Sequence, residues 1–409
     1  MRVNGNNMYD KIMYNKNIET MVSYFREGCK DTFMMGLELE HFVVDSQNAL
    51  LPYSGEIGVE ALLGSLSAKY EEEYRMQGRL IGLWRKDCSI TIEPAGQLEV
   101  SISPQTKTER ILEIYAAFRE EVDELLTAWD CHLVECGYLP KGKAAEQELI
   151  PKKRYQNMDA YFAKIGDWGR RMMRGTAATQ VSVDYTDEED FVRKYEAAYK
   201  LMPILSWITD NVPVFEDAPN EQALIRTKIW QGVDNARTNV YDFLHGRPLS
   251  FQTYAEFAYN TPLIVVREDG EDKPTEKTAT QYYADRPIGR EETEQILSMV
   301  FPCVRLKKVL ELRGADSMPI GEALGYAVLV KCLLEKPGRA ENWLESVGIR
   351  TIEQADALTE ELLNVGERAV FNGQRIKELT DSLFAFAELF CEETDKKYLQ
   401  LLQKRKNEM

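Results

Sequence analysis

The sequence predicts an α+β protein in which separated strands form a sheet and long helices pack against it. Three observations support this fold class. Short segments such as 35–45 and 176–185 alternate between apolar and polar residues, and a period of two is typical of strands. Segments with the helical period, such as 187–209, separate them. The chain shows no internal repeat and no regular strand–helix alternation, which favours α+β over a repeating βαβ architecture.

Each element follows from its local pattern. Asn17 is a candidate cap for the first helix, and Pro94 and Gly96 interrupt the second strand pattern. A helix is expected to begin near 187, because acidic residues occupy its first turn. Residues 268–290 are charged, contain Gly and Pro and have almost no aliphatic residues, so they are the best loop candidate. The predicted helices are 17–30, 56–76, 106–130, 187–209, 320–335, 352–368, 372–393 and 394–405, and the predicted strands are 35–45, 89–103, 131–138 and 176–185.

The composition argues against several classes of partner. Of 409 residues, 44% are apolar, and 67 Asp and Glu outnumber 50 Lys and Arg, for a formal net charge of −17. This balance repels nucleic acid and anionic lipid, so neither is an expected partner. No segment approaches the roughly 18 apolar residues of a membrane helix, and the N-terminus lacks the apolar core of a signal peptide. We therefore expect a cytoplasmic protein.

Several common site motifs are missing from the sequence. The seven cysteines are scattered and form no CxxC pair, which argues against a disulfide framework and a zinc ribbon. Only His41, His132 and His245 are available as histidine ligands, so a histidine-based zinc site is not expected. The sequence contains no HExxH, GxSxG or GxxxxGKS/T motif. If the protein uses a nucleotide, it must hold the phosphates in another way.

Carboxylates occupy one face of several strand-like segments. Side chains at i and i+2 of a strand point to the same face, so Glu38 and Glu40 lie together while Leu37 and Leu39 lie opposite. Three further segments show the same alternation, with the polar residues Gln97 and Glu99, then Gln180, Ser182 and Asp184, and finally Glu311 and Arg313.

These carboxylates can be explained in two ways. Glu is depleted in strands and clustered like charges repel, so a shared face would need cations to be tolerated. Mg²⁺, which prefers oxygen ligands, is the natural candidate. The residue pattern by itself leaves open both a divalent metal site and a solvated polar face. The cluster in question comprises Glu38, Glu40, Glu93, Glu99 and Glu311.

Arg313 is the most informative of the arginines. It lies two residues from Glu311 on the same predicted face, where a cation could neutralise phosphoryl oxygens during transfer. Taken one by one, the other arginines near the strands are better explained as surface residues. These are Arg154, Arg170, Arg171, Arg174, Arg226, Arg237 and Arg305.

Five motifs together resemble the plant and proteobacterial type of glutamate–cysteine ligase, glutamate–cysteine ligase family 2. In chain order they are MGLELEHFVVD, ITIEPAGQLEVSISP, MMRGTAATQVSVDY, RTKIWQGVDNART and FPCVRLKKVLELRGADSMP. The resemblance covers roughly residues 30–335. It implies a curved antiparallel sheet of the glutamine-synthetase type, lined by carboxylates and flanked by helices, with a helical C-terminal region. It also implies two or three Mg²⁺ ions and ATP as co-substrate on the inner face.

The resemblance assigns roles to individual residues. Glu311 and Arg313 match catalytic positions, and Arg313 is expected to contact the transferring phosphate. The implied metal ligands are Glu38, Glu40, Glu93, Glu99, Gln180 and Glu311. The implied substrate and ATP contacts are Arg154, Thr179, Arg226, Trp230, Arg237 and Ile264.

Two positions depart from the family pattern. Ala95 stands where plant-type sequences read EPGGQ, and Ile264 stands where they carry an aromatic residue. If that aromatic residue contacts the acceptor, the departure at Ile264 bears on which amine is used.

The resemblance implies ATP-dependent ligation of the glutamate γ-carboxylate to the amine of cysteine, through a γ-glutamyl phosphate. Two alternatives remain, namely the same activation chemistry with another amine, and a catalytically silent homologue that binds or regulates.

The expected partners are glutamate, cysteine and ATP, and the expected state is a monomer or homodimer. The expected domains are an N-terminal helical extension at 1–30, the catalytic domain at 31–335, and C-terminal helices at 336–409. Residues 268–290 are either a lid or a surface excursion.

Overall fold

An antiparallel sheet forms the centre of the molecule. The computed structural model describes residues 5–268 and 270–408. Its strands are β1 (Met35–Asp45), β2 (Glu72–Met76), β3 (Arg79–Arg85), β4 (Cys88–Ile92), β5 (Leu98–Gln105), β6 (Cys131–Val134), β7 (Ala178–Val183), β8 (Val214–Phe215), β9 (Ala218–Pro219), β10 (Val265–Glu268), β11 (Glu271–Pro274), β12 (Val304–Leu306), β13 (Leu310–Asp316), β14 (Val370–Phe371) and β15 (Gln374–Arg375). The main sheet has the order β12–β13–β7–β1–β5–β4–β3–β2, and β6 pairs with the far end of β1.

Helices cover both faces of this sheet. They are α1 (Gly5–Arg26), α2 (Val59–Leu66), α3 (Thr108–Ala128), α4 (Lys153–Ile165), α5 (Trp168–Gly175), α6 (Glu188–Thr209), α7 (Ile225–Val233), α8 (Asn235–Thr238), α9 (Val240–Leu244), α10 (Phe251–Asn260), α11 (Ala279–Tyr282), α12 (Arg290–Leu297), α13 (Ile320–Leu334), α14 (Pro337–Val347), α15 (Ile352–Val365), α16 (Ile376–Glu388) and α17 (Lys396–Glu408). The helices α3, α6 and α13 pack against the central strands. The mixture of helices with an antiparallel sheet confirms the predicted α+β class.

The alternation in β1 sets the two faces of the sheet. Leu37 and Leu39 are each 1% exposed and belong to the hydrophobic core. Glu38 lies opposite Gln180 of β7, and Glu40 lies opposite Glu99 of β5. The strand pairing therefore brings polar residues from distant parts of the chain onto one face, as the period of two predicts.

The structure corrects the predicted helix at 56–76. The helix α2 ends at Leu66, a short 3₁₀ turn covers Ser67–Lys69, and Glu72–Met76 forms the edge strand β2. This strand pairs antiparallel with β3, which the sequence analysis did not identify. Glu and Arg are weak strand formers, so the pairing partner rather than local propensity determines the strand.

The predicted strand at 89–103 is a hairpin of two strands. The strands β4 and β5 pair antiparallel, and the turn between them contains Pro94 and Gly96. Gly96 has φ +86, which residues with a Cβ adopt only with strain. Ala95 is outside this region of backbone space, and its N–H donates to Oε1 of Gln97 at 2.9 Å. The turn therefore accommodates alanine at position 95.

Two further segments carry more regular structure than expected. The charged segment at 268–290 contains β11, which pairs with β10, and the short helix α11. The stretch 141–171, to which no element was assigned, contains α4 and the beginning of α5. In both segments polar residues dominate the local pattern, so packing against the rest of the chain determines the elements.

Buried side chains from α1 to α17 form one hydrophobic cluster. The predicted division into residues 1–30, 31–335 and 336–409 stays a prediction. Among the helices that the structure describes, we find none with the length and apolar character that a membrane crossing requires.

Candidate active site

A cleft of about 1060 Å³ lies over the polar face of the sheet. Its walls come from the sheet, from α4, α7 and α12, and from the β10–β11 hairpin. Nine of the residues assigned by the family resemblance, which lie far apart in the sequence, line this one space. They are Glu38, Glu40, Glu93, Glu99, Arg154, Gln180, Arg226, Trp230 and Arg313.

The acidic wall of the cleft consists of Glu38, Glu40, Glu93 and Glu99. Burial is the main cause that raises the pKa of each of these carboxyls, and neighbouring carboxylates raise it further. The pKa of Glu38 rises to about 8, through burial and then the charges of Glu99 and Glu311. The pKa of Glu99 rises to about 7, through burial and then Glu93. The protein alone therefore cannot stabilise all of these carboxylates in their ionised form.

The donor set of this wall fits a hard divalent cation. Every charged donor is a carboxylate oxygen, which Mg²⁺ prefers. Within the described residues, no three Asp, Glu, His or Cys side chains already surround a single point. Two of the carboxylates already accept hydrogen bonds from the protein. Glu40 accepts from Ala178 N–H at 2.8 Å, and Glu99 accepts from Thr91 Oγ1 at 2.6 Å.

The basic wall is built around Glu311. This carboxylate is 2% exposed and lies below the cleft surface. It contacts Arg305 at 2.6 Å, Lys307 at 3.0 Å and Arg313 at 3.0 Å. Burial opposes its ionisation, but these three cations outweigh burial and hold the pKa of Glu311 well below its usual range. As the structure places it, Glu311 fixes three cations at the cleft wall.

A hydrogen-bonded chain joins the acidic and basic walls. Arg313 Nη1 donates to Oε1 of Gln180 at 2.5 Å, and Nε2 of Gln180 donates to Oε1 of Glu40 at 2.9 Å. Arg313 lies at a register shift in β13 between Leu312 and Ala315. Bulges of this kind redirect side chains.

Gly314 allows the bulge to lie against α6. A Cβ at this position would come within 2.3 Å of Met202 Sδ, which is closer than two unbonded heavy atoms can approach. The glycine therefore explains how the strand that carries Arg313 packs here.

Four cations of the cleft were not assigned a role from the sequence: Lys152, Arg267, Arg305 and Lys307. A signal for two of them was present, because Arg305 and Lys307 lie two positions apart, at i and i+2, in the strand-like VRLKKVLELR segment. Arg305 lies opposite Glu311 in the β12–β13 pair. Lys152 lies just before α4 in a polar stretch, where the local pattern gave no indication of a site.

Arg226 and Trp230 of α7 form a third wall. Arg226 is 3% exposed, and its Nη1 donates to the carbonyl of Arg313 at 2.9 Å. In the described part of the chain, Arg226 Nε and Trp230 Nε1 have no hydrogen-bond partner. A second cavity of about 430 Å³ adjoins this wall and is also lined by Phe301. Arg154 also lines the cleft, and its Nη2 donates to Ser298 Oγ at 2.9 Å.

Three predicted contact residues do not line the cleft. Thr179 is fully buried, because it alternates with Gln180 and points to the opposite face of β7. Arg237 is fully buried in an ion pair with Asp234 at 2.7 Å, so it holds the α7–α8 region together. Ile264 is 1% exposed and belongs to the hydrophobic core. These assignments are therefore corrected, and Ile264 does not form an acceptor pocket wall.

The raised carboxyl pKa values predict how stability depends on pH without divalent ions. Glu38 and Glu99 have folded-state pKa values of about 8 and about 7, against roughly 4.3 in an unfolded chain. The native state then binds more protons, so the free energy of unfolding is expected to fall as the pH rises from about 4 to about 8. Urea unfolding across this pH range, with and without Mg²⁺, measures the free energy of unfolding. If Mg²⁺ stabilises the protein no more at pH 8 than at pH 5, the acidic wall does not bind the ion.

Comparison with known proteins identifies clear relatives. The family model for glutamate–cysteine ligase family 2 matches residues 34–409. The chloroplastic glutamate–cysteine ligase of Arabidopsis thaliana is 30% identical over 312 residues, covering 74% of this chain and 59% of the relative. The Brassica juncea enzyme is 31% identical, with coverage of 74% and 60%. The chain thus spans less than two thirds of the length of these two relatives, and 74% of the Medicago truncatula enzyme at 27% identity.

A solved structure shares the fold. The crystal structure of glutamate–cysteine ligase from Francisella tularensis in complex with AMP superposes with a TM-score of 0.55. It is 11% identical and covers 93% of this chain and 82% of that one.

Proposed function

Since this chain belongs to glutamate–cysteine ligase family 2, we propose that it joins the γ-carboxylate of glutamate to the amine of cysteine in an ATP-dependent reaction. One observation carries the proposal. A buried acidic wall that needs cations lies beside three cations fixed by Glu311, in the same cleft. Such a pair of walls suits a reaction in which a phosphoryl group must be bound, neutralised and transferred.

The metal ions of this reaction would be held by Glu38, Glu40, Glu93 and Glu99, with the amide oxygen of Gln180 as a neutral donor. Bound Mg²⁺ supplies charge neutralisation for the ATP phosphates. The set was assigned by family resemblance, and the oxygen donors of the cleft support it.

The proposed chemistry proceeds in two steps. An oxygen of the glutamate γ-carboxylate attacks the γ-phosphorus of ATP, the bond to the β-phosphate oxygen breaks, and ADP leaves. The acceptor nitrogen then attacks the carbonyl carbon of the γ-glutamyl phosphate, phosphate departs, and the nitrogen loses a proton. Neither step needs a protein nucleophile. Catalysis therefore depends on positioning and on charge stabilisation.

The cations of the basic wall are placed to act in the first step. Arg313 presents a planar donor fork that can contact two phosphoryl oxygens, and Glu311 and Gln180 fix its direction. Lys307 and Arg305 add charge beside it. Arg226 and Trp230 line the same cleft beside them.

An isotope experiment tests the proposal. The protein is incubated with ATP, Mg²⁺, cysteine and glutamate carrying ¹⁸O in its γ-carboxylate. We expect γ-glutamylcysteine by mass spectrometry and one ¹⁸O atom in the released phosphate, because the carboxylate oxygen stays on phosphorus. Phosphate without label would contradict the acyl phosphate.

The same assay with other amines decides the acceptor. Since Ile264 lies in the core, its departure from the family pattern no longer favours an acceptor other than cysteine. Product with alanine, serine or 2-aminobutyrate but none with cysteine would overturn the proposed acceptor while leaving the activation step intact. Absence of any product and of any ATP turnover would indicate the catalytically silent alternative.

A further inference from the structure

Lys152 is a cation of the cleft to which neither the family resemblance nor the proposed reaction gives a role. It precedes α4, is half-buried, and lines the cleft together with Arg154 and Tyr155. Its Nζ lies 4.4 Å from the ring centroid of Tyr155 and 3.4 Å from the hydroxyl of that residue. The same hydroxyl lies 3.5 Å from the carbonyl of Ile92, the residue before Glu93. Lys152 therefore places a positive charge at the edge of the acidic wall.

This charge has no counter-ion among the described residues. No Asp or Glu oxygen in that part of the chain lies within 4.0 Å of the Lys152 ammonium, and the same holds for the Arg154 guanidinium. The three cations of the basic wall, by contrast, all pair with Glu311. Burial lowers the pKa of Lys152, and the charge of Glu93 opposes this effect. Since a partly buried charge without a partner costs free energy, Lys152 is suited to an anion that a ligand supplies.

The start of α4 has the same deficit of negative charge. Lys152, Lys153 and Arg154 are consecutive, and the first turn of the helix contains no acidic residue. Cations are unfavourable at this end of a helix, because the N-terminus carries the positive end of the helix dipole. An anion bound by Lys152 would therefore also offset the charge of its neighbours.

The surroundings of Lys152 identify the class of this anion. A carboxylate without a metal ion would be repelled by the acidic wall beside it. A phosphate of a Mg²⁺-bound nucleotide differs, because the ion that it shares with the wall compensates its charge. Arg313 lies on β13, whereas Glu93 precedes β5, and β7 and β1 lie between these strands in the sheet. Lys152 thus approaches the wall from the side of β5, and Arg313 approaches it from the side of β13.

We propose that the ammonium of Lys152 contacts the β-phosphate of the nucleotide, which stays on ADP, while Arg313 contacts the phosphoryl group that is transferred. This inference rests on the proposed use of Mg²⁺-ATP and specifies how the nucleotide is recognised. A contact with the β-phosphate is present before and after the transfer. It should therefore strengthen the binding of ATP and ADP alike and have little effect on kcat.

Direct binding of nucleotides tests this contact without turnover. The full-length protein is titrated by calorimetry with ADP and, separately, with AMP, in the presence of Mg²⁺ and without glutamate. Lys152→Met keeps an unbranched side chain and removes the ammonium. We expect its affinity for ADP to fall about tenfold or more, because a charge-assisted hydrogen bond is lost. Its affinity for AMP, which lacks the β-phosphate, should change by less than about twofold.

Lys153→Met is the matched control. Lys153 is the next residue and has the same side chain, but it is exposed and does not line the cleft. Its replacement should change the affinity for ADP by less than about twofold. In turnover, Lys152→Met should raise the KM for ATP about tenfold and leave the KM for glutamate within about twofold of the wild type.

Several results would overturn the proposal. These are an unchanged affinity for ADP in Lys152→Met, an equal loss in Lys153→Met, an equal loss for AMP and ADP, and a rise in the KM for glutamate alone. Loss of ADP binding in Lys152→Met, from a protein that shows no ligase activity, would support the phosphate contact and contradict the proposed function. The two can therefore fail separately. Thermal melts establish that each variant is folded, and Lys152→Gln decides the outcome if Lys152→Met is not.

Discussion

An Arg313→Lys variant is expected to lose roughly 10²-fold or more in kcat, because it removes a donor that stabilises the transferring phosphoryl group. Arg313 lies in the cleft with its Nη1 bonded to Gln180 and Glu311. Lysine keeps the charge but replaces a planar fork with a single ammonium. With two of its three donors on Gln180 and Glu311, the ammonium would have a single donor left for the phosphoryl oxygens. The loss should appear mainly in kcat, since the fork matters most when charge develops in the transition state.

The control for this variant is Arg267→Lys. Arg267 also lines the cleft, but its side chain is exposed at the rim. Its replacement should change kcat by no more than about threefold, since exposed charges interact weakly. Steady-state kinetics with ATP and glutamate varied in turn separate kcat from KM. Wild-type turnover in Arg313→Lys would show that the residue only balances the charge of Glu311.

A Glu38→Gln variant is expected to lose Mg²⁺-dependent turnover and yet to be more stable than the wild type without divalent ions. Burial, and then the charges of Glu99 and Glu311, raise the pKa of Glu38 to about 8. Glutamine has nearly the same shape but no charge. Stability should therefore match the wild type below about pH 4 and exceed it increasingly as the pH rises from about 4 to about 8, because over this range Glu38 ionises in the unfolded chain before it ionises in the folded protein. Loss of one anionic ligand removes the metal-dependent activity.

The comparison for Glu38 is Glu294→Gln, at the cleft rim. Glu294 lines the same space but pairs with Arg290 on an exposed turn of α12. Glu294→Gln should keep the turnover of the wild type and the wild-type dependence of stability on pH. Thermal melts with and without Mg²⁺, together with ATP turnover, provide both measurements. Normal turnover in Glu38→Gln would exclude Glu38 as a metal ligand.

Glu311→Gln should change stability in the opposite direction to Glu38→Gln. Its carboxylate is the anion that balances Arg305, Lys307 and Arg313. Removal of one partner from a buried ion pair costs about 3–5 kcal/mol, so this variant is expected to be less stable. The family resemblance describes Glu311 as a metal ligand, whereas in this structure its oxygens are committed to three cations. The sequence placed both carboxylates on the same face without distinguishing their environments.

Sequence patterns identified the parts of the site that depend on neighbouring residues. The alternation in MGLELEHFVVD placed Glu38 and Glu40 on one face and Leu37 and Leu39 on the other, and the structure has this arrangement. The interruption at Pro94 and Gly96 was visible as well. Its form as a hairpin was not, because antiparallel pairing depends on the partner strand and on the positive φ of Gly96.

Thr179, Arg237 and Ile264 show where family resemblance needed correction. Thr179 and Arg237 belong to motifs that resemble the family, and Ile264 is a position that departs from its pattern, but none of the three lines the cleft. Strand alternation turns Thr179 away from Gln180, and this could have been seen in the sequence. The burial of Arg237 depends on its pairing with Asp234 and on packing around it, which a motif does not report.

The sequence by itself determined the α+β class, the acidic face of the sheet and the residues that resemble a ligase of this family. These features repeat at short range or occur as contiguous motifs, so they can be recognised without knowing how the chain folds. Tertiary structure decided which cations meet which carboxylates, and it brought Lys152 to the cleft. It also joined Arg405 to the carbonyl of Asp210, 195 residues away in the chain. Contacts at such separations follow from packing of the whole chain, because no local pattern specifies the partner.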